Sequence, residues 1–419
     1  MSTTGSGAPR RVLIVGAGIA GLATALRLRR SAWDIVLVER APNLRGGGYM
    51  IGFSGIGYRA ANELGLLPAL RKLQPPATDL LYVDHAGRQQ AVMPVEAQQA
   101  MLGEETLALL RGDLETTLFQ AIRECGDGGS GDGVDIRFAT TVADIEQDAD
   151  GVTATLSDGR QERVDLLVGA DGMHSAVRHL VFGPEKAYRV DFGHAVVTYL
   201  LDKTPDGVAP GSTVSMDLVG RGVSVYAVRD GRSAAFFAFS SDQLDADLGA
   251  GAGLTLLRVF GDLGWVVPEL LRGLDSNSSV YFDRISQIAM DTWSRGRVVL
   301  VGDSAWCVSL FAGYGASLAV GGADLLGTAL DQDPDILSAL HMWEARLRPD
   351  VAKKQRQGGR ARRLFVAPNR GVHQLRLLTF RLVGSRLVLA MLRRFLGLES
   401  PGEQRGTGPR PTSDRDRHD

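Results

Sequence analysis

The chain has 419 residues, 44% hydrophobic and 22% charged, with 46 Lys and Arg against 48 Asp and Glu for a net charge of −2. That length supports a large core and two or more lobes, and the even charge balance excludes the basic surface of a nucleic-acid binder. Two cysteines, Cys125 and Cys307, build neither a disulfide framework nor a metal site, and the polar start MSTTGSGAPRR has no apolar signal core. The expected location is the cytoplasm.

The first element is an apolar run, Val12 to Val15, expected as a strand buried on both faces. It turns at Gly16-Ala17-Gly18-Ile19-Ala20-Gly21, a complete G-x-G-x-x-G, and leads into a helix-period pattern. A second apolar strand, Ile35 to Val38, ends in Glu39. Gly16 permits the tight turn, Gly18 admits a pyrophosphate to the backbone, and Gly21 lets helix and strand pack closely. The helix N-terminus offers free N–H groups to phosphates, and Glu39 is placed to accept from ribose hydroxyls. This reads as a site for an adenine dinucleotide, with FAD and NAD still undistinguished.

Beyond Glu39 and Arg40, three glycines at 46–48 and Tyr49 suggest a loop passing close to a ligand, or a flexible turn. Residues 57–73 read as a helix broken near Gly65 and Pro68, and 80–93 as a strand pair turning at Asp84–Gly87, with His85 exposed in the turn. Asp113 is expected to cap a helix running to about Cys125, with Leu114, Leu118 and Ile122 on one face. Short strands follow at 134–138, 142–147 and 152–156, and an apolar strand, Val164 to Val168, runs into Gly169-Ala170-Asp171-Gly172. Residues 186–248 alternate as an antiparallel sheet would, forming a second lobe. Leu254 to Leu274 reads as helical around Trp265 and Pro268.

A buried strand at 297–301 leads into Gly302-Asp303-Ser304 and a glycine-punctuated helix from about Gly315 to Leu330. Residues 336–365 read as helical. Residues 371–396 mix leucine with arginine; a basic amphipathic helix of this kind either lies on a membrane surface or packs on the body with its arginines outward, and the second is the expectation. The tail from Glu399 has the composition of a disordered segment.

Three glycine-acid signals therefore end three buried strands, and at the carboxyl ends of one parallel sheet they would converge on one crevice. In this order and spacing the motifs GAGIAG with Glu39, RGDLETTLF from Arg111, LLVGADGMHSAVR from Leu166 and RVVLVGDSAWCVSLFAGYGASLA from Arg297 resemble a known family. It is the single-component FAD-dependent monooxygenases of the aromatic-hydroxylase type, with the p-hydroxybenzoate hydroxylase fold, and within it the natural-product-tailoring subgroup. The resemblance covers roughly residues 10–355 and implies an α/β fold. A Rossmann-like FAD domain with a parallel sheet (1–75, 103–184 and 291–356) would be joined to an antiparallel-sheet substrate domain (76–102 and 185–290). C-terminal helices (357–398) and a disordered tail (399–419) would follow.

The resemblance also implies roles. Gly16, Gly18, Ala20 and Gly21 would form the phosphate turn, Glu39 and Arg40 would meet the adenosine end, and Arg111 would reach the ribose–phosphate region. Asp171 and Gly172 would serve FAD and NAD(P)H together, and Asp303 the ribityl–pyrophosphate portion. Gly313, Gly315 and Ala316 would bring backbone N–H groups to the flavin N1–C2 edge, with Gly48 beside the ring. The other readings are that Asp171 and Asp303 are helix or turn caps and that Arg111 is a surface ion pair. Trp306 stands where the family has histidine, Cys307 stands at a proline position, and Ser309-Leu310 replaces a proline pair. Trp306, Phe311 and Tyr49 are therefore candidates for the substrate cavity. Cys307 reads as a buried small hydrophobe, with a reactive thiol as the lesser idea.

The implied activity uses NAD(P)H and O₂ to hydroxylate a small organic substrate, aromatic or polyketide-like, through a flavin C4a-hydroperoxide. No side chain is assigned as acid or base, no metal is expected, and the chain would act as a monomer or homodimer without stable membrane insertion. The altered loop at Trp306 motivates the alternative of a non-redox cyclase or isomerase that keeps FAD. A flavin halogenase is disfavoured because Trp265-Val266-Val267-Pro268 lacks the second tryptophan of W-x-W-x-I-P.

Overall fold

In a computed structural model of the chain, residues 9–31, 33–44, 49–102, 105–124, 133–274 and 280–381 are described. The expectations for Gly46–Gly48, Cys125 and the tail from Glu399 lie outside these residues.

The apolar runs read from the sequence assemble into a six-stranded sheet. Its order is Ser294–Arg295, Val298–Leu300, Leu166–Gly169, Arg11–Val15, Asp34–Val38 and Asp135–Arg137. All neighbours are parallel except the short Ser294–Arg295 edge. Both faces are covered, which is why Val12 to Val15 and Val298 to Leu300 are at most 1% exposed and why these strands carry no polar alternation. The helices Ile19–Arg29 and Gly315–Gln332 pack against each other over the sheet, joined by Arg111–Glu124 and the long Ile336–Phe365. Leu114, Leu118 and Ile122 are the buried face of the third of these.

A seven-stranded sheet forms the second layer, in the order Tyr281–Ile288, Arg189–Leu201, Ser233–Ser240, Arg221–Ala227, Thr213–Leu218, Leu80–Val83 and Gln89–Met93. Its pairings are antiparallel apart from Thr213–Leu218 with Leu80–Val83. A separate core of Val197, Tyr199, Phe237, Phe239 and Phe260 fills its outer side. The hairpin at 80–93 thus joins the 186–288 strands although about 120 residues separate them.

Several local expectations change. Met50–Ser54 is a strand, paired with Thr106–Leu110, where the sequence suggested only loop. The 254–274 stretch is two helices, Ala252–Phe260 and Val267–Leu274, separated at Trp265, whose φ of +54° no helix interior allows. Asp113 does not cap its helix; its carboxylate lies 3.3 Å from Arg229 of the seven-stranded layer. The C-terminal helix Arg370–Arg381 packs on the body with Arg370 and Arg381 exposed, as expected, but Arg376 departs from the pattern. Arg376 points inward to Asp217 at 2.7 Å, while Leu375 and Leu378 are 64% and 53% exposed. The reason is Asp217, a carboxylate desolvated within the sheet that needs a cationic partner. Phe380 completes the docking by stacking on Tyr82 at 4.3 Å. No helix among the described residues is long and apolar enough to cross a membrane.

Arg178 ties two of the turns together. It is fully buried, donates to Ser304 O at 2.8 Å and Met173 O at 2.5 Å, and lies 3.4 Å from Glu185. Arg178→Ala leaves these acceptors without donors in a dry site. It is expected to lower stability by about 3 kcal/mol, read as a fall in the urea midpoint with an unchanged slope; a midpoint within error of the parent would contradict the assignment.

Candidate active site

The carboxyl ends of the strands Arg11–Val15, Leu166–Gly169 and Val298–Leu300 lie side by side, and their turns touch. Gly16 adopts φ +106°, and a Cβ there would stand 2.6 Å from Ala170 O. Gly302 adopts φ +68°, and its Cβ would stand 2.7 Å from that of Ala20. Glycine is therefore required at both points by backbone angle and by contact. Gly21 packs as closely, on Gly16 O.

A cleft of about 1170 Å³, its open mouth included, runs from these turns to the face of the seven-stranded sheet. At its first end lie Gly18, Ile19 and Ala20, with Arg111 opposite. Gly18 leaves open the space beside Arg111 and Glu115, whose atoms would be 3.6–3.7 Å from a Cβ. The middle holds Gly172, Asp303 and Cys307. Gly313, Tyr314, Gly315 and Ala316 also line the cleft, as do Tyr49, Met50 and Ile51, with Tyr49 O accepting from Arg111 N at 3.0 Å. Val196, Tyr281, Ile285 and Ser286 of the seven-stranded sheet close it.

Two helix N-termini face this space, those of Ile19–Arg29 and Gly315–Gln332, and neither carries a side-chain cap. Their first N–H groups are left for a ligand, and both macrodipoles put their positive ends there. Arg111 adds a guanidinium held at 2.7 Å by Glu115. Glu39 sits at the end of its strand, where one oxygen accepts from Ala17 N and the other from Ala41 N, each at 2.8 Å. Each oxygen keeps a second acceptor site, which a ribose diol can use. The residues present fit FAD: an elongated cleft, a glycine cradle, two uncapped helix ends and a fixed carboxylate.

Of the residues expected at the site, Gly18, Ala20, Tyr49, Arg111, Gly172, Asp303, Gly313, Gly315 and Ala316 line the cleft. Gly16 and Gly21 act through packing. Arg40 is exposed, and Gly48 is outside the described residues. Asp171 spends its carboxylate on Ser175 Oγ at 2.5 Å and Val177 N at 3.1 Å, so it braces the first turn of the helix Ala176–Val181, whose N-cap is Ser175. Asp303 opens to the cleft with an exposed side chain, and the surrounding cleft raises its carboxyl pKa by desolvation although Arg111 opposes the shift.

Trp306 does not line the cleft. Its indole is 1% exposed and packs with Trp293 at 4.6 Å and Trp343 at 5.6 Å, in space that Gly322 leaves free. Phe311 is likewise turned into an apolar cluster with Phe192 and Phe365. Cys307 borders the cleft, but burial first and then Asp303 push its thiol well above the ordinary range, which keeps it protonated. Cleft residues that the sequence did not single out are Met173, Val196, Tyr281 and Arg284.

Ser309 explains the loss of prolines. Its φ is +74° and ψ 156°, a region that is essentially glycine-only, and proline cannot leave φ near −65°. Its Oγ packs where only Gly358 allows, 2.8 Å from the Cβ that an alanine would bring. Ser309→Gly is expected to raise stability by about 1 kcal/mol and Ser309→Pro to lower it by more, both read by thermal melting; a stable Ser309→Pro would contradict this geometry.

The profile of a protein family described as FAD binding domain matches residues 10–243. A protein of Legionella longbeachae serogroup 1 (strain NSW150) named flavin-dependent monooxygenase is 30% identical over 357 residues, covering 83% of this chain and 87% of the relative. Among solved structures, the tetracycline destructase Tet(51) superposes with a TM-score of 0.76 at 26% identity, covering 94% of this chain and 100% of the other. Klebsiella pneumoniae HpxO, complexed with FAD and uric acid, superposes with 0.71 at 25% identity over 92% and 97%. With its converging turns and its uncapped helix ends around one cleft, the chain belongs to the FAD-binding family of flavin-dependent monooxygenases.

Proposed function

We propose that the chain uses FAD, NAD(P)H and O₂ to hydroxylate a small organic substrate, aromatic or polyketide-like. The observation that carries this reading is the course of the cleft, from a glycine cradle at one sheet to a second, seven-stranded sheet. On this reading residues 1–75, 103–184 and 291–356 hold the cofactor, 76–102 and 185–290 take the substrate, and the C-terminal helices brace the substrate layer through Arg376. A cytoplasmic setting supplies the nicotinamide.

FAD, when bound, supplies the two-electron and oxygen chemistry. The chain's own work is positioning, charge and exclusion of water. Gly18 to Ala20 and Arg111 take the pyrophosphate, and Glu39 takes the adenosine ribose. The Gly315–Gln332 helix directs its positive end to the flavin's N1–C2 edge, where reduction places negative charge. Ile51, Val196, Ile285, Val308 and Leu310 make that end apolar, which strengthens the fixed dipoles and limits side reactions with water. The non-redox alternative rested on Trp306, whose indole lies in the core away from this space.

The test is an absorption spectrum of the purified protein, followed by NADH and NADPH oxidation across a phenolic library. A bound-flavin spectrum with substrate-stimulated oxidation is expected; turnover that persists without O₂ or NAD(P)H overturns the reading. Arg111→Leu and Glu39→Ala are each expected to weaken FAD binding about tenfold or more, because each removes a charge-assisted hydrogen bond. Unchanged FAD titrations in both would remove these residues from the site.

A further inference from the structure

A line of titratable side chains runs from the cleft to the surface, beside the second glycine-acid turn. It begins at Tyr281, which lines the cleft with its ring 5.5 Å from that of Tyr49. The Tyr281 hydroxyl is 3.4 Å from Asp283 Oδ2, two residues on and on the same face of the strand. The same carboxylate oxygen is 3.3 Å from His174 Nε2, and His174 Nδ1 is 2.9 Å from Glu185 Oε2. Tyr281 is 39% exposed toward the open cleft, the Asp283 side chain behind it is 15% exposed, and His174 at the outer end is 54% exposed. The line bridges the layers, since His174 follows Gly172 while Tyr281 and Asp283 belong to the seven-stranded sheet.

The imidazole is clamped between two carboxylates. The hydrogen bond to Asp283 raises its pKa above the usual 6.5, burial opposes this, and Glu185 adds to the rise. Glu185 is also bound by Arg189 at 2.6 Å and faces Arg178 at 3.4 Å. Burial works against its charge, but Arg189 and His174 outweigh it and hold it ionised. Glu185 therefore orients the ring. Arg189 is shared in turn with Asp191 at 3.0 Å, and Asp283 Oδ1 accepts from Arg284 N at 2.7 Å. By contrast His194 bonds a backbone carbonyl, Phe192 O, and its charged neighbour is Arg362.

The inference rests on the function proposed above, whose balance is RH + O₂ + NAD(P)H + H⁺ → ROH + H₂O + NAD(P)⁺. One proton must enter an apolar cleft from water in each turnover. We propose that His174, Asp283 and Tyr281 form the proton relay that carries it. The imidazolium gives its Nε2 proton to Asp283 Oδ2, and Asp283 passes it to Tyr281 Oη as the phenol's own hydrogen moves to an oxygen in the cleft. The phenol turns its hydrogen from Asp283 to the cleft before this transfer, the incoming proton restores the O–H directed at Asp283, and His174 takes a new proton from water or buffer. No bond other than O–H and N–H changes, and the relay ends as it began.

The test uses the full chain loaded with FAD, with O₂ uptake driven by NADH and by NADPH from pH 5.5 to 9.5. His174→Ala is expected to lose about tenfold or more of the rate above neutral pH and to regain it when imidazole is added, in proportion to the imidazolium fraction. Tyr281→Phe loses a similar amount and is not rescued, and His85→Ala, altered in an exposed turn, matches the parent. A mere structural tie at His174 predicts lowered melting temperature and FAD content with no response to imidazole, and that result overturns the relay, as does a parental rate in Tyr281→Phe. If His174→Ala does not fold, His174→Gln keeps a hydrogen bond without a transferable proton; the relay predicts it slow, and a parental rate overturns the proposal. If the parent takes up no O₂ with either nicotinamide, the proposed function fails separately. The relay is then decided by stopped-flow reduction of bound FAD with dithionite, which draws protons along with two electrons. The same variants and imidazole arm apply, and equal bleaching rates overturn it.

Discussion

The site depends on how closely three turns approach one another at the carboxyl edge of the parallel sheet. Gly16 sits against the Ala170 backbone, Gly302 against Ala20, and Gly21 against Gly16, at separations that admit no side chain. These contacts bring the helices Ile19–Arg29 and Gly315–Gln332 side by side with their N-termini toward one cleft, although nearly the whole FAD-binding region separates them in sequence. An anionic ligand then meets two sets of free N–H groups without a cluster of cationic side chains. Arg178 fixes the second turn to the third from behind, so the cradle is braced on the core side and open on the ligand side.

The seven-stranded sheet supplies what the parallel sheet lacks, an apolar wall with a few polar groups. Val196 and Ile285 face the far end of the cleft, Tyr281 faces it with a hydroxyl, and Tyr49 arrives from the strand pair at its edge. The loop from Asp303 to Ala316 joins the two environments. It carries a carboxyl that opens to the cleft and a protonated thiol at one end and a helix N-terminus at the other, with the strained Ser309 between them. Strain of this kind persists only where the surroundings over-determine it, and the tight packing of Ser309 on Gly358 does so here.

Much of this was legible in the chain itself because the signals were local. A run of apolar residues with no alternation implies a strand covered on both faces, as Val12 to Val15 and Val298 to Val301 are. A glycine at the end of such a strand implies a close approach. What the sequence could not supply was the direction of individual side chains. Trp306 occupies a loop that borders the cleft, yet its indole turns inward because Trp293, Trp343 and Gly322 make a pocket for it. Arg376 lies on a helix whose arginines the pattern places outward, yet Asp217, more than 150 residues earlier, draws it in. Asp171 reads equally as a cofactor ligand or a cap until the positions of Ser175 and Val177 are known. In each case the deciding partner is distant in sequence or depends on a rotamer, and periodicity carries neither.

The measurement that bears most directly on this account is the electron density of FAD in a crystal of the flavin-loaded protein. The account predicts the pyrophosphate between Gly18–Ala20 and Arg111, the adenosine ribose on Glu39, and the flavin's N1–C2 edge against Gly313–Ala316. FAD bound outside this cleft, or a flavin ring that never approaches the N-terminus of the Gly315–Gln332 helix, would contradict it.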